Sequence, residues 1–340
     1  MGKSVKLSDI AQKVGVSTVT VSKALSGKKG VSEEVRRKIV ALADELGYKT
    51  PSELNGTKEN SFNIGVLIHD MYLGKFDSFY LQMYQCLTKR ATMRNCFTLM
   101  EVITERMESQ RLMPKLIAPG KCDGIVVVGK IDNDYLQTIE KESRIPIVYM
   151  DFATDRNDTY SVVSDNFYGS YYLTNYLLRK GHRKVAFVGT ISANNSIMDR
   201  YLGYRKSLLE HDIKLPEDYR LEDRRLTGEI EEELIRLPSD HPTAFVCNCD
   251  LTAAILIRKL EKMGYSVPGD FSVVGYDNFL LPGLLEMKLT TYAVDMNEMA
   301  KRTINTMIRK LSGEHARTGI HVVGGQIIEG ESVKDIGSDT

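Results

Sequence analysis

Leu7–Tyr48 reads LSDIAQKVGVSTVTVSKALSGKKGVSEEVRRKIVALADELGY. The spacing predicts three short helices. Ser8 is a cap for a first helix whose apolar residues are Ile10, Ala11 and Val14. Gly15 breaks it in the turn Gly15-Val16-Ser17-Thr18. Ser17 is placed to cap a second helix with Val21, Ala24 and Leu25 inward. Ser32 caps a third, whose Glu33 and Glu34 suit the positive end of the helix dipole. Val35, Ile39, Leu42 and Leu46 then fall on one helical face. A helix, a Gly-containing turn and a second helix form a helix-turn-helix, whose second helix enters the major groove.

The outer face of that second helix carries Thr18, Val19, Thr20, Ser22 and Lys23, none of which needs burial. Lys23 can donate to guanine, and the hydroxyls, with that of Ser17, can reach bases or phosphates. Lys28 and Lys29 follow in a basic loop. Residues 1–50 hold ten Lys/Arg against five Asp/Glu, a net of +5. The whole chain balances at 45 against 45, so the remainder is −5. A basic head on a mildly acidic body is the electrostatic footprint of a nucleic-acid module. Ser17, Thr18, Val19, Thr20, Ser22, Lys23 and Lys28 are therefore the expected DNA-binding residues.

Asp9-Ile10-Ala11, Gly15-Val16-Ser17, Thr20-Val21-Ser22-Lys23, Val31-Ser32 and Leu46-Gly47-Tyr48 resemble the DNA-binding head of the LacI/GalR family of bacterial transcription regulators. The resemblance implies that Thr18, Val19 and Lys23 read bases. The family usually has Arg where this chain has Lys23, and Lys lacks the fork that pairs bidentately with guanine. The resemblance also implies a hinge helix after the head. Here Asn55, Gly56 and Lys58 occupy its places, and Asn-Gly is a poor helix interior. Leu54 is a candidate apolar wedge, and a flexible polar linker is the competing reading.

Beyond Phe62, short apolar runs at 64–68, 97–102, 124–128, 146–150, 161–163, 184–188, 244–247 and 271–274 alternate with helical patterns. The helical patterns include 79–93, 168–179, 198–211, 228–237 and 251–263. This alternation predicts parallel sheets covered on both faces, in an α/β body of two Rossmann-like lobes. Ligands of such sheets bind beyond the carboxyl ends of the strands, in the cleft between lobes. The resemblance extends through the body, on Ser164-Asp165-Asn166, Gly181-His182-Arg183, Arg200-Tyr201-Leu202-Gly203-Tyr204, Ser272–Asn278 and Leu289-Thr290-Thr291. It implies a periplasmic-binding-protein-like fold. The expected boundaries are a head at 1–50, a linker at 51–61, a body at 62–335 and a tail at 336–340. Within the body, lobe 1 is expected at 62–159 and 290–318, and lobe 2 at 160–289 and 319–335.

For the cleft, Arg200 and Asp277 are the leading candidates, the latter at a strand's carboxyl end. Asp250 resembles the Asp of the family's Asn-Asp pair, with Cys249 where the Asn usually stands. Asp70, Tyr72 and Phe79 follow the opening strand, and Asp151 ends the fourth. With no Trp in the chain, any stacking must use Tyr or Phe.

Five scattered cysteines suit reduced core thiols, and Cys247-Asn248-Cys249 lacks a second cluster to complete a metal site. Six scattered histidines show no nucleophile or metal spacing, and no Gly-rich phosphate loop is present. No enzyme activity, cofactor or metal is expected. No apolar run approaches the ~18–20 residues of a membrane span, and no secretory signal is visible at the start. The expectation is a cytoplasmic homodimeric repressor that binds duplex DNA and responds to a small effector, a saccharide. The alternative is a solute-binding or sensor protein responding to a purine or another metabolite.

Overall fold

The structure, a computed structural model, describes residues 7–25, 30–46, 48, 61–74, 78–214, 216–225, 228–280 and 282–337. Lys28 and the linker residues Leu54, Asn55, Gly56 and Lys58 lie outside the described residues. The chain divides into two units, Met1–Ser61 and Phe62–Thr340.

The first unit contains α1 (Leu7–Val14), α2 (Thr18–Leu25) and α3 (Glu33–Glu45). Ile10, Ala11, Val21, Ala24, Ile39 and Ala43 make its core. Gly15 takes φ +74° in the turn, which costs a glycine little. Ser17 caps α2 as predicted, its Oγ accepting from the Thr20 amide at 3.1 Å. Ser8 does not cap α1, because the helix already includes Leu7. Arg36 of α3 donates to the carbonyl of Ala24 at 2.8 Å, satisfying one of the open carbonyls that end α2.

The second unit carries two six-stranded sheets. Sheet 1 is built from β1 (Asn63–His69), β2 (Phe97–Ile103), β3 (Gly124–Val128), β4 (Ile147–Met150), β5 (Tyr160–Ser164) and β11 (Gly319–Val323). Its order is β11-β5-β4-β3-β1-β2, and every pairing is parallel. Sheet 2 is built from β6 (Val185–Val188), β7 (Arg220–Leu221), β8 (Ala244–Cys247), β9 (Ser272–Asp277), β10 (Thr290–Ala293) and β12 (Gln326–Ile328). Its order is β12-β10-β9-β8-β6-β7, with only the β10–β12 pair antiparallel. The helices between strands are α4 (Phe79–Thr92), α5 (Glu105–Gln110), α6 (Asn133–Glu142), α7 (Asn166–Arg179), α8 (Asn195–Glu210), α9 (Asp250–Lys262) and α10 (Met296–Leu311). β1 and β3 show why the sheets read as apolar runs: nearly every residue is buried, as strands covered on both faces require.

The lobe boundaries differ from those expected. β5 pairs with β4 through Tyr149↔Ser161 and Met150↔Val162, so residues 160–164 belong to lobe 1. β10 pairs with β9 and belongs to lobe 2, whereas β11 pairs with β5 and belongs to lobe 1. Hydropathy marks a buried strand but not its neighbour, so the crossings fall one strand later than expected. The chain passes between lobes three times, at 164–166, 293–296 and 323–326. At the first two crossings an Asp caps the helix that follows: Asp165 accepts from the Tyr168 amide and Asp295 from the Glu298 amide.

The predicted helix at 228–237 is absent. Instead, Glu231 N donates to Asp223 O at 2.8 Å and Gly228 takes φ +89°. Only a single 3-10 turn, Glu232–Leu234, follows. The apolar and acidic pattern there resembled a helix face, and the glycine at positive φ decides against it.

Candidate ligand cleft and recognition helix

In the head, Thr18, Val19, Ser22 and Lys23 are exposed on α2, and Ser17 is exposed at its start. Val19 stands out, 61% exposed although apolar, at the first turn of the helix. Thr20 is half-buried and turned back onto its cap, its hydroxyl 2.9 Å from that of Ser17. The predicted recognition face is thus a continuous surface of short polar side chains, one exposed valine and a lysine.

In the body, a cavity of about 420 Å³ opens at the carboxyl ends of the strands, lined from both lobes. This lies within the ~300–1,000 Å³ usual for small-molecule sites. Of the predicted residues it brings together Tyr72, Phe79, Asp151, Arg200, Cys249 and Asp277. Several arrive by a strand end: Asp151 after β4, Cys249 after β8 and Asp277 as the last residue of β9. Asp151 (φ +65°) and Asp277 (φ +106°) both hold left-handed backbone, a local strain of the kind that collects at functional sites.

Arg200 is the centre of this arrangement. Only 6% of it is exposed. Its Nε donates to Asn166 Oδ1 at 2.9 Å, and Nη1 donates to the carbonyl of Asn248. Nη2 lies 3.1 Å from Asp277 Oδ1. The guanidinium covers the Tyr276 ring, 3.7 Å from its centroid. From lobe 1, Tyr80 donates its hydroxyl to Asp151 Oδ2 at 2.9 Å, whereas Asp151 Oδ1 is buried with no partner among the described residues. Burial pushes the Asp151 carboxyl up to about 6, against the pull of Arg200 and the Tyr80 hydrogen bond. Burial likewise pushes Asp277 up to about 6, with Arg200 opposing and Asp151 adding to the rise. One guanidinium between two carboxylates leaves the centre one charge in excess.

A second arginine, not anticipated from the sequence, forms the lobe 2 wall. Arg224 follows β7 and is gripped bidentately by the fully buried Asp223, with Nη2 to Oδ2 at 2.8 Å. The same Nη2 donates to Asn248 Oδ1 at 2.9 Å and approaches Cys249 Sγ at 3.6 Å. Asp223 is held in turn by Thr252, Asn248 and the Thr190 amide. Among the described residues Nη1 of Arg224 has no partner, and the residue lines the cavity. The only hint in the sequence was Asp223-Arg224-Arg225, which reads as a solvated charge run until the fold buries its first member. Cys249 is the N-cap of α9, its Sγ accepting weakly from the Thr252 amide at 3.5 Å. Burial pushes this thiol up, with Arg224 pulling the other way.

Two predicted residues lie outside the cavity. Asp70 is exposed on a 3-10 turn beside His69, whose Nδ1 accepts from the Met71 amide at 3.1 Å. Asp250 is turned into the protein instead: Oδ1 accepts from Thr291 Oγ1 at 2.6 Å and Oδ2 from the Phe279 amide at 2.8 Å. It thereby joins α9 to β10 and to the segment after Asp277, a framework role that the adjacent Cys249 does not share. Tyr72 reaches the cavity but stacks on Tyr80, with centroids 4.3 Å apart, and donates to the Lys130 carbonyl. Phe79 of lobe 1 meets Phe279 of lobe 2 edge to face at 6.2 Å.

The geometry is that of a two-lobed ligand-binding body joined to a helix-turn-helix head, and comparison with known proteins agrees. Residues 6–51 match the bacterial regulatory proteins of the lacI family, and residues 174–333 match the periplasmic binding protein-like domain. The HTH-type transcriptional repressor PurR of Photobacterium profundum is 26% identical over 97% of this chain and 99% of its own. The transcriptional regulator CelR in complex with cellobiose superposes with a TM-score of 0.68 at 21% identity, over 96% of this chain and 99% of that one. The lac repressor dimer bound to operator and the anti-inducer ONPF gives 0.64 at 22%, over 98% and 100%. The chain belongs to the LacI family: it is a DNA-binding transcription regulator, not an enzyme. Among the described residues no helix is long and apolar enough to cross a membrane.

The carboxyl groups at the centre make a pH-dependent contribution whose direction is fixed. Asp151 titrates at about 6 in the folded chain against an ordinary 3.8, so between those values the folded state binds more protons than the unfolded one. Its contribution to stability is therefore fully present below about 4 and is lost as the pH rises through about 6. Asp151→Asn keeps the acceptor for Tyr80 and removes the charge. Urea unfolding of the ligand-free protein at about pH 4.5 and pH 7.5 should show the variant gaining on wild type by on the order of 2 kcal/mol between the two. An offset that is equal at both would contradict the assignment.

Proposed function

We propose that this protein is a cytoplasmic repressor that acts as a homodimer, reads a near-palindromic operator with α2, and is controlled by a saccharide bound in the cleft. Two recognition helices related by a two-fold axis suit half-sites about one helical turn apart. Self-association is supported by β2, an edge strand of sheet 1 that exposes Phe97, Leu99, Met100 and Val102. Edge strands with uncovered apolar side chains are pairing surfaces. Leu99→Lys is expected to shift the full-length protein from dimer to monomer in sedimentation at micromolar concentration. An unchanged dimer would place the interface elsewhere.

Lys23, Thr18 and Val19 are the proposed base readers, with Ser17, Thr20 and Ser22 at the backbone and in the helix cap; Lys28 is a further proposed phosphate contact. Lys23→Ala should weaken binding to a selected operator by ~1–3 kcal/mol and relax the base preference at one position of each half-site. Uniform weakening on every sequence, with a shallower salt dependence, would make Lys23 a phosphate contact instead.

The observation that supports a saccharide is the pairing of open polar groups across the cleft. Asp151 Oδ1 is a buried acceptor without a donor among the described residues, and on the opposite wall Arg224, a donor group, has its hydrogen bonds through Nε and Nη2. Hydroxyl groups, which donate and accept, suit both walls at once. The relatives named PurR point to a purine-type effector. Tyr72 and Tyr80 stack on each other, and although Phe79 and Phe279 also line the cavity, the polar wall of Arg224 and Asn248 suits hydroxyl partners. Bound ligand should close the lobes and shift the balance between operator-binding and released states. In a thermal-shift screen, saccharides but not purine bases are expected to raise the melting temperature. Asp151→Asn should weaken the responding sugar about tenfold or more while leaving operator binding intact. Stabilisation by a purine base alone would overturn the saccharide reading.

A further inference from the structure

Lobe 2 carries a second cavity, of about 560 Å³, between α8 and the segment that leads into β7. No described residue lines both this cavity and the cleft. Its floor is aromatic. Tyr204 and Tyr219 are buried, and Tyr201 lies half-buried beside them, its ring centroid 5.9 Å from that of Tyr204. The Tyr204 hydroxyl donates to the Val185 carbonyl at 2.8 Å and the Tyr219 hydroxyl to Asp240 at 3.5 Å, so what both offer the cavity is ring surface. Leu202 and Leu209 line the sides, 46% and 66% exposed. Leucines left this bare at the mouth of an aromatic cavity are surface that a ligand would cover. The charge is outermost, on the exposed side chains of Arg205, Arg220 and Glu217. Arg220 leans toward Glu222, with Nε 3.9 Å from Oε1. Arg205 and Glu217 have no side-chain hydrogen bond or ion pair among the described residues, which leaves one cation and one anion open on the same cavity.

We propose that this cavity is a second small-molecule site, for an aromatic α-amino acid: the ring on the tyrosine floor, the carboxylate on Arg205 and the ammonium on Glu217. Aromatic rings pair edge to face or offset, and a guest ring would extend the array that Phe187, Tyr201 and Tyr204 already form. A guanidinium receives a carboxylate in its fork, and an ionised Glu accepts from an ammonium. A zwitterion engages both open charges at once. An aromatic acid without the amine would set its carboxylate near Glu217 uncompensated, and an aliphatic amino acid would leave the rings bare. The site stands independently of the saccharide reading of the cleft.

The test is calorimetric titration of the full-length protein with L-phenylalanine, L-tyrosine and L-tryptophan. The controls are 3-phenylpropionate, phenethylamine and L-alanine, which lack the ammonium, the carboxylate and the ring. At least one of the three amino acids is expected to bind, about tenfold or more tightly than every control. Arg205→Gln and Glu217→Gln, both at exposed positions where the fold has little at stake, are each expected to weaken that binding about fivefold or more. Asp151→Asn, in the cleft, is expected to leave it within about twofold, as separate sites do. Failure of all three amino acids to bind at millimolar concentration overturns the proposal. So does binding that survives both rim variants, and so does binding lost in Asp151→Asn, which would put the amino acid in the cleft. Equal affinity for 3-phenylpropionate overturns the assignment to an amino acid and makes the cavity a site for aromatic carboxylates.

Discussion

The burial of one guanidinium organises the body of this protein. Arg200 is charged in nearly any protein environment, so its removal from water has to be balanced in place. The chain balances it with Asp277 at the end of β9, Asn166 at the start of α7, the Asn248 carbonyl after β8 and the face of Tyr276. These partners come from separate segments of lobe 2, and each lies at or beside a strand end or a helix start. Parallel sheets place such ends together, which is why this fold can gather a buried polar cluster at one edge without disturbing the apolar strands beneath it. Asp151 then brings lobe 1 into the same field: Arg200 lowers the cost of its charge, although no direct contact satisfies its Oδ1 among the described residues.

The cleft's electrostatic state follows from counting these groups by their partners. Arg224 is matched by Asp223, and Arg200 by Asp277. Asp151 is the carboxylate left over, sited on the opposite lobe. An open cleft can hydrate that oxygen, whereas a closed one must supply a donor or a proton. The unpartnered Oδ1 and the upward displacement of the carboxyl are thus two consequences of one imbalance. A ligand that donates to Asp151 while accepting from Arg224 would join the lobes through groups that cannot reach a comparable partner without it, and differential binding to the closed state is what effector control requires.

Much of this was legible in the sequence, for reasons that differ by region. The head could be read from Gly15, Ser17 and the Ile39 stripe because its helices are set by local caps and a single period. The strands could be read because buried parallel strands are short continuous apolar runs. Their partners could not: β5, β10 and β11 each have the same local character in either lobe, and only the register through Tyr149, Val274 and Tyr160 assigns them. The same limit applies in the cleft. Arg200, Asp151 and Asp277 were visible as polar residues at motif positions or strand ends. Asp250 was visible on the same grounds, but its orientation depends on Thr291 and Phe279, distant in the chain, and it faces inward. Arg224 was missed because its significance comes from Asp223, whose burial depends on Thr190, Asn248 and Thr252.

That last network bears on how selective the cleft can be. A buried ion pair seldom adds net stability, since the desolvation of both charges offsets their attraction. What Asp223, Asn248 and Thr252 accomplish is to fix the guanidinium of Arg224, a residue that lines the cavity, in one orientation. A side chain held this way loses little entropy when a ligand binds, and it cannot swing to meet a ligand of different shape. Cys249 strengthens the point. As a helix cap it is a weaker acceptor than an oxygen, and as a cavity wall it offers little hydrogen bonding of its own, so the charged groups lining lobe 2 of the cavity include the two arginines and Asp277. Discrimination among ligands then depends on the placement of a few rigid donors and acceptors, in a wall that the framework holds in place before any ligand arrives.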